Sequence, residues 1–302
     1  MSEKHPTNRA YNPAVLKELE LSAELPCKIK PQNYSIIKVS GTDAPLFLQG
    51  QLTGDLNDIK PEHSLLMAWC APNGRVQNLI HVIRSGVLFF LLIPKEQMLG
   101  MVKKLKMFVL RSDVEVEDLS TDYELFLTLN SNQSDTSFAT IGRQDSRCWW
   151  IVPNGKATKV WKGIAAQQVN EDVIEFHSIV NGIPYLTEEL TDTFLPQEIG
   201  LEELKGLSFS KGCYPGQEII ARVKYRGKVK RELVKIYVVA TEEIPSAARL
   251  FGKSDTSVGL VLRSVTTGKG THQLLAVLNC GIDQVVLPSM PDAVLEMTPM
   301  HI

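Results

Sequence analysis

Apolar runs separated by turn residues predict the strands of the first two-thirds of the chain. Such runs occupy 34–39, 65–70, 76–84 and 87–93, and further strands are expected at 123–129 and 148–152. Residues 71–74 read Ala-Pro-Asn-Gly, which suits a turn at each position. The second and third runs are therefore predicted to form a hairpin.

Apolar residues at helical spacing predict helices between these strands. The spacing predicts a helix over 13–24, a short helix around 44–48 capped by Thr42 or Asp43, and a helix over 173–181 that ends at Gly182. Pro94 opens a further helix, whose apolar face consists of Met98, Val102, Leu105 and Val109. Strands followed by packed helices indicate an α+β protein.

The C-terminal part of the chain has a different texture. From Arg231 onward, short β-rich runs at 233–239, 258–265, 273–278 and 284–287 alternate with stretches containing glycine and serine. This pattern predicts a small C-terminal barrel or sandwich of about 70 residues.

Composition and charge narrow the class of protein. The chain has 302 residues, of which 44% are hydrophobic, so about two domains with sizeable cores are expected and a small disulfide scaffold is excluded. A net charge of −2 argues against a globally polybasic nucleic-acid binder. No apolar run is longer than the seven residues of 87–93, which is too short to span a bilayer, and the N-terminus carries charges and prolines instead of a secretory signal. We therefore expect a cytoplasmic protein without a membrane partner.

The five cysteines argue against a disulfide framework and against a bound metal. They lie 43 to 78 residues apart, with no C-x-x-C, and the six histidines form no H-x-x-x-H pair. We expect reduced thiols and no metal site.

The least generic segment is 211–218, Lys-Gly-Cys-Tyr-Pro-Gly-Gln-Glu. Pro215 suits the first turn of a helix that Gly227 would end, so Cys213 would lie just before a helix N-terminus. Free backbone N–H groups at that position, together with the charge of Lys211, would favour the thiolate and make Cys213 reactive. The alternative is that Cys213 is a small, buried, inert side chain.

A local basic stretch follows. Residues 211–235 contain eight basic side chains against Glu218 and Glu232, which would suit an anion such as polyglutamate, phosphate or RNA backbone. The alternative is a solvated helix face on which Glu218 pairs with Arg222.

Segment 211–218 also matches, intact, the signature K-G-C-Y-x-G-Q-E of the YgfZ-type folate-binding proteins. Three further blocks resemble that family in the expected order: 47–55 (FLQGQLTGD), 70–78 (CAPNGRVQN) and 194–198 (FLPQE). With the signature, the resemblance spans residues 34–231.

The resemblance implies the fold of the glycine-cleavage T-protein, an aminomethyltransferase. Two intertwined α/β lobes and a C-terminal β-barrel would surround a central cavity that holds tetrahydrofolate or a one-carbon derivative. The folate-binding region would be 1–228, with lobe one at about 1–50 and 171–228 and lobe two at about 51–170, and the barrel would be 229–302. Family members support the assembly or repair of iron–sulfur enzymes and, through them, tRNA modification.

The resemblance also supplies candidate site residues. Cys213 would be the reactive thiol, with Lys211 beside it. Candidate folate contacts are Tyr34, Gln77, Asn78, Gln197, Tyr214, Gln217, Glu218, Arg222 and Arg226. Tyr34 would offer a stacking face to the folate. The alternative for Tyr34 is an aromatic side chain packed in the core, and the alternative for Asn78 is a polar strand residue that faces solvent.

One departure from the T-protein bears on catalysis. Gln77 and Asn78 stand where that enzyme carries an acidic pair tied to aminomethyl transfer. An amide cannot act as a carboxylate base, so we expect folate binding without this reaction, and activity as an enzyme stays an open question.

The leading hypothesis is therefore a folate-binding accessory protein whose partners are iron–sulfur enzymes or their assembly proteins. The alternatives are a tetrahydrofolate-dependent one-carbon transferase, aminomethyl or methyl, and an RNA-binding module. The latter would make a weak RNA contact through the 222–235 stretch.

Overall fold

The computed structural model describes residues 18–19, 25–133, 139–252, 256–290 and 293–300. Its strands are β1 (Cys27–Ile29), β2 (Tyr34–Ser40), β3 (Ser64–Cys70), β4 (Val76–Ser85), β5 (Leu88–Pro94), β6 (Glu115–Asp118), β7 (Tyr123–Leu129), β8 (Thr140–Gln144), β9 (Arg147–Pro153), β10 (Gln167–Gln168), β11 (Arg231–Val239), β12 (Arg249–Phe251), β13 (Ser257–Gly268), β14 (Thr271–Asn279) and β15 (Val294–Pro299). Its α-helices are α1 (Ala44–Gln49), α2 (Met98–Val109), α3 (Asn154–Gly163), α4 (Asp172–Val180) and α5 (Gln217–Arg226).

The strands of the described residues form three five-stranded sheets. Sheet A has the order β10-β1-β7-β9-β8, sheet B the order β3-β4-β5-β2-β6, and sheet C the order β12-β13-β14-β11-β15. The β3–β4 hairpin is confirmed, as are the strands expected at 123–129 and 148–152 and the helix that follows Pro94. The helix predicted over 13–24 lies outside the described residues except for 18–19.

Buried apolar clusters join the sheets. One cluster packs sheet A against one face of sheet B and includes Leu92 and Trp149. The opposite face of sheet B, with Ile80, is covered by α1 and α2. A third cluster joins sheet B to sheet C and includes Leu79 and Val277. The three sheets therefore meet around a common centre, which we call the three-sheet junction.

The C-terminal region differs from its prediction. Where a barrel or sandwich was expected, sheet C is an open sheet within the described residues, with β12 and β15 as its edges. β12 has only three residues and a register shift at its end, and beyond it Phe251 bridges to Val286. Segment 284–287, predicted as a strand, contributes isolated bridges only.

The division into lobes stays a prediction, and the sheets group the strands differently. β2 belongs to the same sheet as β3, β4 and β5, so position 50 is not a sheet boundary. β1 lies between β7 and β10 of sheet A. The segment before position 50 thus contributes β1 to sheet A and β2 to sheet B.

Candidate functional site

The four sequence blocks that carry the family resemblance meet in one cluster. Lys211 is buried, and its Nζ donates to the carbonyls of Leu52 and Gly54 at 2.5 and 2.8 Å. Thr53 Oγ1 donates to the Gly206 carbonyl at 2.7 Å. The block at 47–55 is thereby fastened to the segment that leads into the signature.

The glycines of two blocks touch. Gly216 has φ +81°, and a Cβ built there would lie 2.6 Å from the Gly74 Cα and 2.7 Å from the Ala71 carbonyl oxygen. Since any side chain would strain this backbone and overlap the β3–β4 turn, only glycine fits.

The remaining block is held by polar contacts. Arg75 Nη1 lies 3.2 Å from Glu198 Oε2 and donates to the Thr193 carbonyl at 2.8 Å. Gln197 Nε2 donates to the Ile220 carbonyl at 2.8 Å. Lys211 and Gln197, two of the candidate site residues, therefore have structural partners inside the protein.

Cys213 is exposed, whereas Cys27, Cys70 and Cys148 are buried. Burial raises the pKa of the Cys27 thiol and that of the Cys70 thiol, and it raises the pKa of the Cys148 thiol to about 11. Cys280 is exposed as well, with its pKa raised by partial burial and by Glu232. The alternative of a buried Cys213 is therefore wrong.

Lys211 does not act as a free charge beside Cys213. Burial lowers the pKa of its ammonium to about 8, although Asp55 opposes the shift. Its Nζ also lies 5.1 Å from the centre of the Tyr214 ring. The charged group therefore binds the carbonyls of the 52–54 turn and lies against the Tyr214 ring, and it stabilises both of these contacts.

The other signature residues lie on or before α5. Glu218, Arg222 and Arg226 are exposed, while Tyr214 is buried and Gln217 is half-buried. Lys224 pairs with Glu202. Tyr225 is 70% exposed and contacts Phe209, with 5.9 Å between ring centres. The basic stretch is thus a solvent-facing surface with one accessible aromatic ring.

A second cluster lies at the three-sheet junction. Tyr34 from sheet B lies with its ring centre 5.0 Å from that of Trp149 in sheet A and 6.0 Å from that of Tyr185. His81 of β4 lies 5.1 Å from Trp149. Tyr34 and Tyr185 are half-buried, so the aromatic cluster reaches the surface on their side.

Arg147 of β9 is buried in this cluster. Its Nη1 donates to Ser178 Oγ at 3.1 Å, and its guanidinium carbon lies 5.7 Å from the centre of the Trp149 ring. Its Nε and Nη2 are buried and have no hydrogen-bond partner in the part of the chain that the structure describes. Desolvation lowers the pKa of Arg147 to about 10. The group is therefore a buried cation with two unused donors.

Arg263 of β13 brings a second buried cation from sheet C. Its Nη1 lies 2.6 Å from Glu175 Oε2, its Nε donates to the Ile183 carbonyl at 2.9 Å, and its guanidinium lies 4.9 Å from the centre of the Tyr185 ring. Burial alone would lower its pKa, but Glu175 and Tyr34 outweigh burial and raise the pKa. Arg263 is thus fully paired, unlike Arg147.

His81 is neutral in this environment. Burial lowers its pKa well below the usual range, and the charges of Arg147 and Arg263 lower it further. The Gln144 side chain opposes this shift but does not cancel it. The junction therefore holds a neutral imidazole next to an incompletely paired guanidinium.

The structure does not bring Tyr34 and Asn78 together. Side chains alternate along a strand, so Tyr34 shares the face of Ile36, which packs against sheet A. Asn78 shares the opposite face with Ile80, and its Nδ2 donates to Gln97 Oε1 at 2.7 Å. Asn78 is buried, not solvent-facing.

Gln77 is also turned away from Tyr34. It accepts from Lys104 Nζ at 3.2 Å and donates to Asp192 at 3.3 Å. Both amides thus have protein partners. The aromatic cluster and the two arginines were not predicted from the sequence, although an arginine within the apolar strand 258–265 is a signal for a buried charge.

Among the described residues no three His, Cys, Asp or Glu side chains group as a metal site. In the same part of the chain, no helix is long and apolar enough to cross a membrane.

Comparisons with known proteins agree with the predicted resemblance. A "tRNA-modifying protein YgfZ" from Vibrio atlanticus is 26% identical over 290 residues, which cover 89% of this chain and 90% of the relative. The protein of that name from Colwellia psychrerythraea is 28% identical over 240 residues, covering 72% and 74%. No family model matches the chain.

Among solved structures, the glycine cleavage system aminomethyltransferase T from Bartonella henselae superposes with a TM-score of 0.73. The match covers 94% of this chain and 88% of that chain at 14% identity. The chain has a T-protein-like fold and resembles the YgfZ-type proteins along most of its length, as predicted.

Proposed function

We propose that this protein binds a reduced folate at the three-sheet junction and serves as an accessory protein for iron–sulfur enzymes and, through them, for tRNA modification. The relatives named tRNA-modifying protein and the T-protein-like fold support the general role. The observation that carries the proposal is Arg147, with two buried donors that none of the described residues satisfies.

The residues of the junction fit a pterin chemically. An unsatisfied buried donor costs about 1–3 kcal/mol, and a ring carbonyl, a ring nitrogen or a carboxylate would recover that energy by accepting from Arg147. The half-buried rings of Tyr34 and Tyr185 offer apolar faces to a flat heterocycle, with the buried Trp149 ring behind that of Tyr34. A bound reduced folate would supply a carrier for one-carbon units.

The protein's own residues then have separate roles. Tyr34 and Tyr185, which are half-buried, would line the entrance, and their rings must separate to admit a ligand. Arg263, fixed by Glu175, would hold the Tyr185 side in place. The glutamate tail of the folate would extend toward exposed basic residues, among which Arg222 and Arg226 are candidates.

Cys213 would be the redox or transfer thiol of this accessory role. It is exposed at the surface that also carries the basic residues of α5. The neighbouring signature residues would serve to hold this loop in place, since Lys211 and Gly216 contact the 47–55 and 70–78 blocks.

Isothermal titration calorimetry with tetrahydrofolate tests the ligand. We expect saturable binding by the wild type and at least a tenfold weaker affinity for Tyr34→Ala and for Arg147→Met. Arg143→Met is the matched control, because Arg143 lies on β8 and donates to the Ser131 carbonyl. Absence of binding by the wild type at millimolar tetrahydrofolate would refute the proposal.

A further inference from the structure

The outer face of α2 carries apolar side chains that the fold does not bury. Leu99 is 84% exposed and Met107 is 64% exposed, although Met98, Met101 and Leu105 on the inner face are buried. We call the depression lined by Leu99, Val102, Lys103, Lys106, Met107 and Asp118 the α2 groove. Large apolar side chains grouped in an exposed groove are typical of an interaction site.

Leu110 directly follows α2 and lines a second depression with Asp43, Arg111 and Ser112. It is 86% exposed and has φ +49°, ψ −107°, in the region where a bulky side chain is strained. Glycine is the residue that normally ends a helix with positive φ. Neither burial nor backbone geometry explains a leucine here, which leaves an intermolecular contact as its use.

The charges around the groove are asymmetric. Between Glu96 and Asp113 the chain carries four basic residues and no acidic one. Lys103, Lys106 and Arg111 are exposed, whereas Lys104 is held by Gln77. The opposite wall is the edge of sheet B, to which β6 contributes the Asp118 side chain. A ligand that uses the apolar floor therefore meets cations along the helix and one carboxylate on the strand.

We infer that the α2 groove is a docking site for an amphipathic helix of a partner protein, with an acidic polar face lying against α2. Apolar anchors spaced one helical turn apart would contact Leu99, Met107 and Leu110, and glutamates beside them would face Lys103 and Lys106. A flat anionic lipid surface fits less well, because it would also approach the Asp118 carboxylate in the opposite wall. The inference is independent of folate binding.

Fluorescence anisotropy with two synthetic peptides tests this surface. Both are amphipathic leucine-faced helices of equal length; one has glutamate and the other lysine on its polar face. We expect saturable binding of the glutamate peptide and at least tenfold weaker binding of the lysine peptide. Leu99→Asp and Lys106→Glu should each weaken the glutamate peptide at least tenfold. Val87→Asp, which alters a side chain 71% exposed on the β4–β5 turn, should leave binding unchanged.

Two further variants separate docking from misfolding. Leu110→Gly should raise the thermal midpoint, because it relieves the backbone strain at this position. It should nevertheless lower the affinity for the glutamate peptide, and a destabilised protein could not show both effects. All variants should bind tetrahydrofolate like the wild type, so failure of docking and failure of the proposed function are distinguishable. Equal affinity for the two peptides, or no effect of Leu99→Asp, would overturn the inference. Binding to phosphatidylglycerol vesicles that Leu99→Asp abolishes, without peptide binding, would assign the surface to lipid instead.

Discussion

Replacing Arg147 by methionine should stabilise the free protein while removing its ligand affinity. The folded state lowers the pKa of this guanidinium from its ordinary value to about 10, mainly by desolvation. At 1.36 kcal/mol per unit, the buried charge costs about 3 kcal/mol at neutral pH. Methionine has a similar length, avoids this cost and leaves no unsatisfied donor.

Two losses reduce the gain. The hydrogen bond to Ser178 contributes about 1 kcal/mol and the contact with the Trp149 ring about 0.5–1 kcal/mol. Ser178 keeps its own bond to the Ile174 carbonyl. We therefore expect the free energy of unfolding to rise by about 1–2 kcal/mol, which corresponds to a thermal midpoint higher by about 2–6 °C.

Scanning calorimetry without ligand measures the midpoint, and titration with tetrahydrofolate measures the lost affinity. Arg147→Lys is the control, because it keeps a buried charge and should show no gain. A midpoint for Arg147→Met several degrees below that of the wild type would show that Arg147 is a structural residue whose unused donors carry no functional meaning.

Three further outcomes are expected. Alkylation, followed by mass spectrometry, should modify Cys213 faster than the buried cysteines and faster than Cys280. The variant Cys213→Ala should keep the thermal midpoint of the wild type but fail to support iron–sulfur enzyme activity in cells. Slow labelling of Cys213 together with full complementation by the variant would leave the thiol without a role. The protein should show no aminomethyl transfer from a carrier-bound donor to tetrahydrofolate, and substantial turnover would place the transferase hypothesis first. Because the pKa of Lys211 is lowered to about 8 in the folded state, the unfolded state binds more protons between pH 8 and 10.5, and this group makes the free energy of unfolding rise with pH in that range. In urea unfolding, Lys211→Met should flatten that rise. An unchanged dependence of the free energy of unfolding on pH would refute the lowered pKa of Lys211.

The sequence predicts the sheets better than it predicts the site. A continuous apolar run such as β5 predicts a strand that is buried on both faces. The structure agrees, since six of the seven residues of β5 are buried. Helix α3 was not predicted, since Ala157 is its one buried residue and glycines lie at 155 and 163, which weakens the helical pattern. Strand texture alone does not say whether a sheet closes, and no closed barrel is found among the described residues.

The site shows the same limit more sharply. The linear motifs point to the signature cluster, where Lys211 and Gly216 fasten separate blocks together. The three-sheet junction joins β2, β4, β9 and β13, which no local pattern connects. A single arginine in an apolar strand indicates a buried charge, but its partner lies on another sheet and is visible only in the fold. Strand alternation likewise separates Asn78 from Tyr34.

The bonds from Lys211 to the 52–54 turn span 159 and 157 residues of chain. On the ribosome, which builds the chain from its N-terminus, about two-thirds of the polypeptide must be synthesised before these carbonyls can meet their partner. Closing so large a loop makes this a late contact of high sequence separation, which slows folding. Until this contact forms, the nascent sheet B lacks the hydrogen bonds that hold the 52–54 turn beside it. Dependence on chaperones during translation should therefore be concentrated in the interval before residue 211 emerges from the ribosome.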